Sequence, residues 1–86
     1  MPRLSQFYGI VIYMYVREHG VAHFHARYGD DEAVIEVATG AVLEGHLRRR
    51  QTRLVRRWAE LHRGELFEAW RRASAGDPPG TIDPLP

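Results

Sequence analysis

An α+β fold is predicted for this chain: a small antiparallel sheet of three to four strands, packed on one face by a C-terminal helix or helix pair. Three features of the sequence predict it. The first half is rich in β-branched and aromatic residues and is divided by short breaks that contain glycine. From residue 48 onwards the apolar residues adopt helical spacing instead. The connections between strands are short, which favours an antiparallel meander covered by a helical layer.

The predicted strands follow one another along the chain. Residues 8–18, "YGIVIYMYVRE", form a long first strand that ends near Gly20, and residues 23–28, "HFHARY", form the second. The turn "GDD" leads to the third strand, "EAVIEVA" at residues 32–38. After the turn "TG", residues 41–47, "AVLEGHL", form a weaker fourth strand.

Alternation along each strand assigns its side chains to two faces. The face expected to be buried carries apolar residues: Ile10, Ile12, Met14, Val16, Phe24, Ala26, Tyr28, Ala33, Ile35, Val37 and Leu43. The opposite face mixes aromatic and polar residues: Val11, Tyr13, Tyr15, His23, His25, Arg27, Val34, Glu36, Glu44 and His46. This second face is predicted to be open to a ligand or partner.

The helical region runs from Arg48 to about Ala75, with Val55 and Trp58 on its apolar stripe. Gly64 is a candidate break that would divide it into two helices, because glycine costs about 1 kcal/mol relative to alanine inside a helix. The proline-rich end "AGDPPGTIDPLP" is not helical. The sequence therefore predicts one α+β domain at residues 1–76 and an extended tail at residues 77–86.

Bulk properties exclude several classes of protein. Eighty-six residues make one small domain, and no apolar run approaches the roughly 20 residues of a membrane span. The chain has no cysteine, so disulfides and thiolate metal sites are excluded. The start "MPRLSQ" lacks the apolar segment of a signal peptide. These features predict a cytoplasmic protein without a membrane partner.

Charge is unevenly distributed. All twelve basic residues are arginines, and residues 46–75 hold nine of them against three acids, a net of +6, whereas residues 1–45 have a net of −3. Arginine binds phosphate and carboxylate groups through two parallel hydrogen bonds, so Arg49, Arg53 and Arg56 are candidate binding residues for an anionic partner. The alternative is a solvated helix face with pairs such as Arg56–Glu60 four residues apart.

Several segments together resemble a known family. "LSQFYGIVIYMY", "HFHARYGDDEAVIEV", "GAVLEGHL", "RRWAELHRGELFEAWRRA" and "GDPPGTIDPL" are similar, in this order, to small bacterial proteins classified as domain of unknown function 4160. "HFHARYG" and "WAELH" are the most specific parts. The resemblance implies that a second small protein is encoded nearby, as in a toxin–antitoxin-like pair. This chain departs from the family pattern at Gly64 and in its arginine-rich "RRRQTRLVRR".

The face with His23 and His25 admits three kinds of chemistry. Two histidines at this spacing on a strand can bind a metal ion, with Glu36 or Glu44 as a third ligand, although neither a metal nor another cofactor is favoured. His23 and His25 can instead exchange protons with an RNA substrate while Arg27 holds its phosphate. Tyr13 and Tyr15 would then stack on bases. The simplest alternative is a pair of surface histidines on a half-buried strand.

Three functional hypotheses follow. The first is a protein-interaction module of a toxin–antitoxin-like pair, with a small protein partner or a second copy of the chain; Tyr13, Tyr15 and Glu36 are its contact residues on the sheet. The second is a metal-independent RNA-cleaving toxin that uses His23, His25 and Arg27. The third is a regulator that binds nucleic acid through Arg49, Arg53 and Arg56.

Overall fold

A computed structural model describes residues 2–86, so the predicted start of the domain at Met1 lies outside the described residues. The fold is α+β, as predicted, with one antiparallel sheet and two helices. Five strands, not three to four, lie in sequence order across the sheet: β1 (Arg3–Phe7), β2 (Ile10–Tyr13), β3 (His23–Tyr28), β4 (Asp31–Glu36) and β5 (Val42–Gly45). The helices are α1 (Arg49–Leu61) and α2 (Arg63–Ser74).

The additional strand, β1, lies before the predicted first strand, and the turn that joins it to β2 occupies the first two residues of that prediction. Phe7 pairs with Ile10 across a two-residue turn, in which Tyr8 and Gly9 both have positive φ, at 50° and 79°. Positive φ at both central residues gives the tight hairpin turn that matches the twist of the flanking strands. The prediction of one strand over residues 8–18 was wrong because tyrosine normally favours strands, and its presence concealed the turn.

Strand β5 forms an exposed edge of the sheet. All four of its residues are exposed, including Leu43, which was wrongly predicted to face the core. Val34 pairs with Glu44 but Ile35 pairs with Val42, so Leu43 is an additional residue that no partner in β4 opposes. A bulge of this kind twists an edge strand and discourages unwanted pairing.

The helical region bends at His62, which has φ −118° and ψ 25°, two residues before the suspected Gly64. The backbone N–H of Leu66 still donates to the His62 carbonyl, so α2 begins immediately after the bend. Among the described residues no helix is both long and apolar enough to cross a bilayer.

The core lies between one face of the sheet and the helices. Trp58 is fully buried on α1, and its ring lies 5.4 Å from that of Phe7 and 5.7 Å from that of Phe24. Other buried apolar side chains come from the strands and both helices: Leu4, Ile10, Ile12, Met14, Ala26, Ala33, Ile35, Val37, Val55, Leu66 and Ala69. The predicted buried face is therefore largely confirmed, with Val16 as a further exception, because it lies exposed beyond the end of β2.

Residues 77–86, the tail, contain no helix or strand but pack against the domain. Pro79, Ile82 and Leu85 are buried. The Ile82 backbone N–H donates to the Leu4 carbonyl at 2.7 Å, and the Tyr8 hydroxyl donates to the Pro86 carbonyl at 2.6 Å. The tail therefore runs in the same direction as β1 and covers the edge of the sheet opposite β5.

Candidate functional site

His23 and His25 lie side by side on the sheet face away from α1, because they flank Phe24, whose ring contacts Trp58 on the core side. Their rings are 5.5 Å apart. This face was predicted to be open, but both histidines are only 8% exposed. The prediction failed because a neighbouring loop folds over them.

The covering loop, residues 14–22, leaves the end of β2 and returns to the start of β3. It is anchored at one point to α2, where the Arg17 backbone N–H donates to the Ala73 carbonyl at 2.8 Å. Arg17 has φ 61°, a left-handed conformation that reverses the chain direction there. The loop thereby brings Glu18 over both histidines.

Glu18 contacts each histidine with a different carboxylate oxygen. Its Oε2 lies 3.0 Å from His23 Nε2, and its Oε1 lies 2.9 Å from His25 Nε2. The Glu18 side chain is 28% exposed, so the cluster meets solvent mainly through this carboxylate. We call Glu18, His23 and His25 the histidine–carboxylate cluster; their potential ligand atoms all lie within 4.8 Å of one another.

The His23 ring has a defined tautomer. Its Nδ1 lies 2.8 Å from the Val21 carbonyl oxygen, which can only accept a hydrogen bond, so Nδ1 carries a proton. In a neutral imidazole the Nε2 atom would then present a lone pair to the Glu18 carboxylate, and two acceptors 3.0 Å apart repel each other. A positive charge, either a proton or a metal ion, is therefore required between His23 and Glu18.

His25 is held mainly by aromatic rings. The Tyr13 ring stacks on it with centroids 5.0 Å apart and an interplanar angle of 12°, and the Tyr15 ring meets it edge-on at 4.9 Å. Its Nδ1 is buried and has no hydrogen-bond partner within residues 2–86. Thus the orientation of this ring depends on packing and on the single contact with Glu18.

The other predicted residues of this face occupy different environments. Tyr13 is buried, and burial, together with the neighbouring Glu32, raises the pKa of its hydroxyl far above the usual value. Arg27 is exposed, with its guanidinium 5.8 Å from the centre of the Tyr13 ring. Glu36 lies opposite His23 in the register but accepts a hydrogen bond from Thr39 at 2.7 Å. It therefore takes no part in the cluster.

Sequence reasoning missed Glu18 as the third member of the cluster. The predicted first strand, residues 8–18, included Glu18 as its last residue, but the actual strand β2 ends at Tyr13 and Glu18 lies in a loop, so alternation along a strand does not give its position. The available signal was a lone acid, five residues before His23 and next to the predicted break at Gly20. Only the return of the chain at Arg17 brings that acid over the histidines.

Comparison with known proteins places the cluster within a family. Residues 9–71 match the family described as Domain of unknown function (DUF4160), which is well over half of the chain. The chain belongs to the DUF4160 family. The resemblance inferred from "HFHARYG" and "WAELH" is thereby confirmed. No curated protein and no solved structure matches the chain.

The region matched to DUF4160 contains the whole histidine–carboxylate cluster and all of α1, but it omits β1 and the tail. A second set of predicted residues, Arg49, Arg53 and Arg56, lies exposed on α1. Because α1 packs on the Phe24 side of the sheet, these arginines and the histidines lie on opposite sides of the domain. The DUF4160 fold thus presents two separate candidate sites.

In this DUF4160 member, Glu18 should make stability depend on pH. Burial acts to raise the pKa of its carboxyl, but hydrogen bonds from His25 and His23 and their charges outweigh burial, so the pKa lies below the usual 4.5. At pH values between the lowered pKa of the folded protein and the usual pKa of the unfolded chain, the unfolded chain binds more protons than the folded protein. Glu18 therefore contributes to the free energy of unfolding, by about 1–3 kcal/mol for the hydrogen bonds of a charged group. The full contribution is present above pH 4.5, and it is lost as the pH falls through the lowered pKa of Glu18 in the folded protein.

Urea unfolding between pH 7 and pH 3 measures this dependence. Glu18→Gln should flatten the decline of unfolding free energy with falling pH, whereas Glu60→Gln, at an exposed position, should leave it unchanged. Glu68 also contributes to the pH dependence of stability, because Arg71 lowers its pKa, chiefly through a hydrogen bond. Both variants retain Glu68, so the difference between them reports on Glu18. Equal slopes for the two variants would contradict a role for Glu18.

Proposed function

We propose that this protein is a protein-interaction module, one half of a toxin–antitoxin-like pair, and that it binds a small acidic protein through α1. The binding surface, here called the arginine face, consists of Arg49, Arg50, Arg53, Arg56 and Arg57. One observation supports this proposal above others: all five are exposed, and within residues 2–86 none forms a salt bridge or a side-chain hydrogen bond.

The charge of the arginine face is not balanced within the chain. Its members span nine residues of one helix, a length of about 12 Å, so their like charges repel one another. Glu60 is spaced for a pair with Arg56 but makes none, whereas Glu68 pairs with Arg72 at 3.4 Å. The difference agrees with the helix preference for an acid on the N-terminal side of a base. An acidic partner would relieve the remaining repulsion.

An apolar border favours a protein as the partner. Leu61 follows Arg57 by one helical turn and is 59% exposed, and Leu54, which is half-buried, precedes Leu61 by two turns of the same helix. Arginine together with apolar side chains is typical of the centre of protein interfaces, where burial of the apolar surface adds to the affinity. The partner expected here offers carboxylates opposite the arginines and an apolar residue opposite Leu61.

Nucleic acid is the second candidate, because the same guanidinium groups can bind phosphates and would release counterions on binding. An RNA-cleaving role for His23, His25 and Arg27 has less geometric support. Both imidazoles are buried and both contact the Glu18 carboxylate, and Arg27 points over Tyr13. A scissile phosphate would have to displace Glu18 before it met either ring.

Co-expression with a small acidic protein encoded beside this chain, which the family resemblance implies, tests the proposal. We expect a complex whose affinity, measured by calorimetry, falls about 10- to 100-fold in Arg53→Glu/Arg56→Glu, since each lost pair is worth about 0.2–1 kcal/mol and reversal adds repulsion. The control Arg3→Glu/Arg71→Glu changes the charge equally but lies outside the arginine face. It should bind like the unaltered chain.

Other outcomes would contradict the proposal. Absence of a complex, or equal weakening by both double variants, would exclude the arginine face as the protein-binding surface. Tight binding of a mixed RNA or DNA pool, with an affinity that falls steeply with salt and is lost in Arg53→Glu/Arg56→Glu, would establish the nucleic-acid alternative instead. Light scattering of the protein alone would reveal self-association.

A further inference from the structure

The histidine–carboxylate cluster is a feature that the proposed function does not use. It lies on the other side of the sheet from the arginine face, and it is almost closed to a macromolecular partner. Two imidazole nitrogen atoms and one carboxylate nevertheless converge on a small volume, with all three ligand atoms within 4.8 Å of one another. Such a set of ligands is suited to a divalent transition-metal ion.

We propose that Glu18, His23 and His25 form a binding site for a divalent metal ion of the zinc type. The ion would bind Nε2 of each histidine and a carboxylate oxygen of Glu18. It would leave a fourth position toward solvent on the exposed side of Glu18, as in sites with three protein ligands.

His23 is already oriented as a metal ligand. Metal-bound histidines usually donate their other ring N–H to a carbonyl or carboxylate, which fixes the tautomer and directs the lone pair at the metal. The hydrogen bond from His23 Nδ1 to the Val21 carbonyl at 2.8 Å does this, and it directs the Nε2 lone pair toward Glu18. A metal ion would supply the positive charge required between these two groups.

A bound ion would require the ligand atoms of the cluster to adjust their separations. Ligand atoms at about 2.0–2.1 Å from a tetrahedral zinc ion lie about 3.3–3.4 Å apart. Two different Glu18 oxygens lie 3.0 and 2.9 Å from the histidine nitrogens that they face, so Glu18 would withdraw by a few tenths of an ångström. The ligand atoms lie within 4.8 Å of one another, so any separation longer than about 3.4 Å would shorten as the ion binds. Glu18 belongs to a loop, not a strand, and can move that far without disturbing the sheet.

A bound ion would also stabilise the fold by fixing the loop of residues 14–22 to the sheet. The loop of residues 14–22 covers one face of the sheet, and Glu18 is its contact with both histidines of β3. A metal ion shared by Glu18 and β3 would hold the loop in place. Tyr13 and Tyr15, which pack on the His25 ring, would shield the ligands from water.

The test uses the untagged full-length chain, stripped with a chelator and titrated with Zn²⁺ and then Co²⁺. We expect one zinc ion per chain and a cobalt absorption spectrum of a low-coordinate nitrogen–oxygen site. Affinity should fall at least about 100-fold in His25→Gln, because a direct ligand is lost. The control His62→Gln removes a histidine that pairs with Glu65 at 2.7 Å outside the cluster, and it should retain the affinity.

A second measurement requires no substitution and remains valid if His25→Gln does not fold. In the cobalt-loaded chain the ring protons of His23 and His25 should show large paramagnetic NMR shifts, whereas those of His46 and His62 should not. Substoichiometric zinc binding, equal affinity of His25→Gln and His62→Gln, or unshifted His23 and His25 protons would each overturn the proposal. The cluster would then be a proton-bridged structural contact.

Discussion

Trp58→Ala is expected to remove a large part of the free energy of unfolding of this protein. Trp58 is fully buried, its ring contacts Phe7 and Phe24, and its indole N–H donates to the Asp83 carbonyl at 2.8 Å. Truncation of a buried tryptophan costs about 3–5 kcal/mol, a large fraction of the about 5–15 kcal/mol that stabilises a typical domain. A chain of this size has little stability in reserve.

Thermal and urea unfolding measure the effect. For a domain of this size, 3 kcal/mol corresponds to a fall in melting temperature of at least about 12 °C. Trp58→Phe, which keeps an aromatic ring but loses the hydrogen bond to the Asp83 carbonyl, should lose less stability. Trp70→Ala is the matched control, because Trp70 is only half-buried and packs on His23. Similar losses for Trp58→Ala and Trp70→Ala would contradict the central position of Trp58.

Loss of the tail is expected to have the next largest effect. A chain that ends at Gly76 lacks the buried Ile82 and Leu85, whose burial is worth about 1.5–3 kcal/mol each, partly offset by the entropy of ordering the segment. It also uncovers the edge of β1, because the Leu4 carbonyl loses its partner at residue 82. We expect a net loss of about 2–4 kcal/mol and association between copies through β1.

A point variant separates tail docking from chain length. Ile82→Asp introduces a charge at the buried position, whereas Thr81→Asp introduces the same charge at the exposed neighbour. Unfolding free energy and sedimentation velocity should change for Ile82→Asp and for the shortened chain but not for Thr81→Asp. A shortened chain that remains fully stable and monomeric would show that the tail contributes no stability.

The sequence was sufficient for those parts of the fold that repeat a local pattern. Residues 23–28 were predicted as a strand with the correct ends, and alternation placed His23 and His25 together on the face opposite Phe24. The change to helical spacing predicted the helices and the burial of Trp58. In each case many neighbouring residues indicate the same secondary structure, so the prediction remains correct even where one residue departs from the pattern.

Features that depend on single residues or on distant contacts could not be predicted in this way. The turn at Tyr8–Gly9 depends on a left-handed tyrosine, and the cover over the histidines depends on a left-handed Arg17. Glu18 reaches the cluster only because the loop is anchored to Ala73, far away in the chain. Neither backbone conformation is favoured by residue type, so only the complete packing determines them.

The contact between the tail and β1 has a consequence for synthesis on the ribosome. Tyr8 and Pro86 are separated by 78 positions, so β1 is synthesised well before the segment that covers it. Until the tail has been synthesised and has docked, the edge of β1 is open to other nascent chains. The interval before the tail docks is therefore the period in which misassembly between neighbouring copies competes with folding.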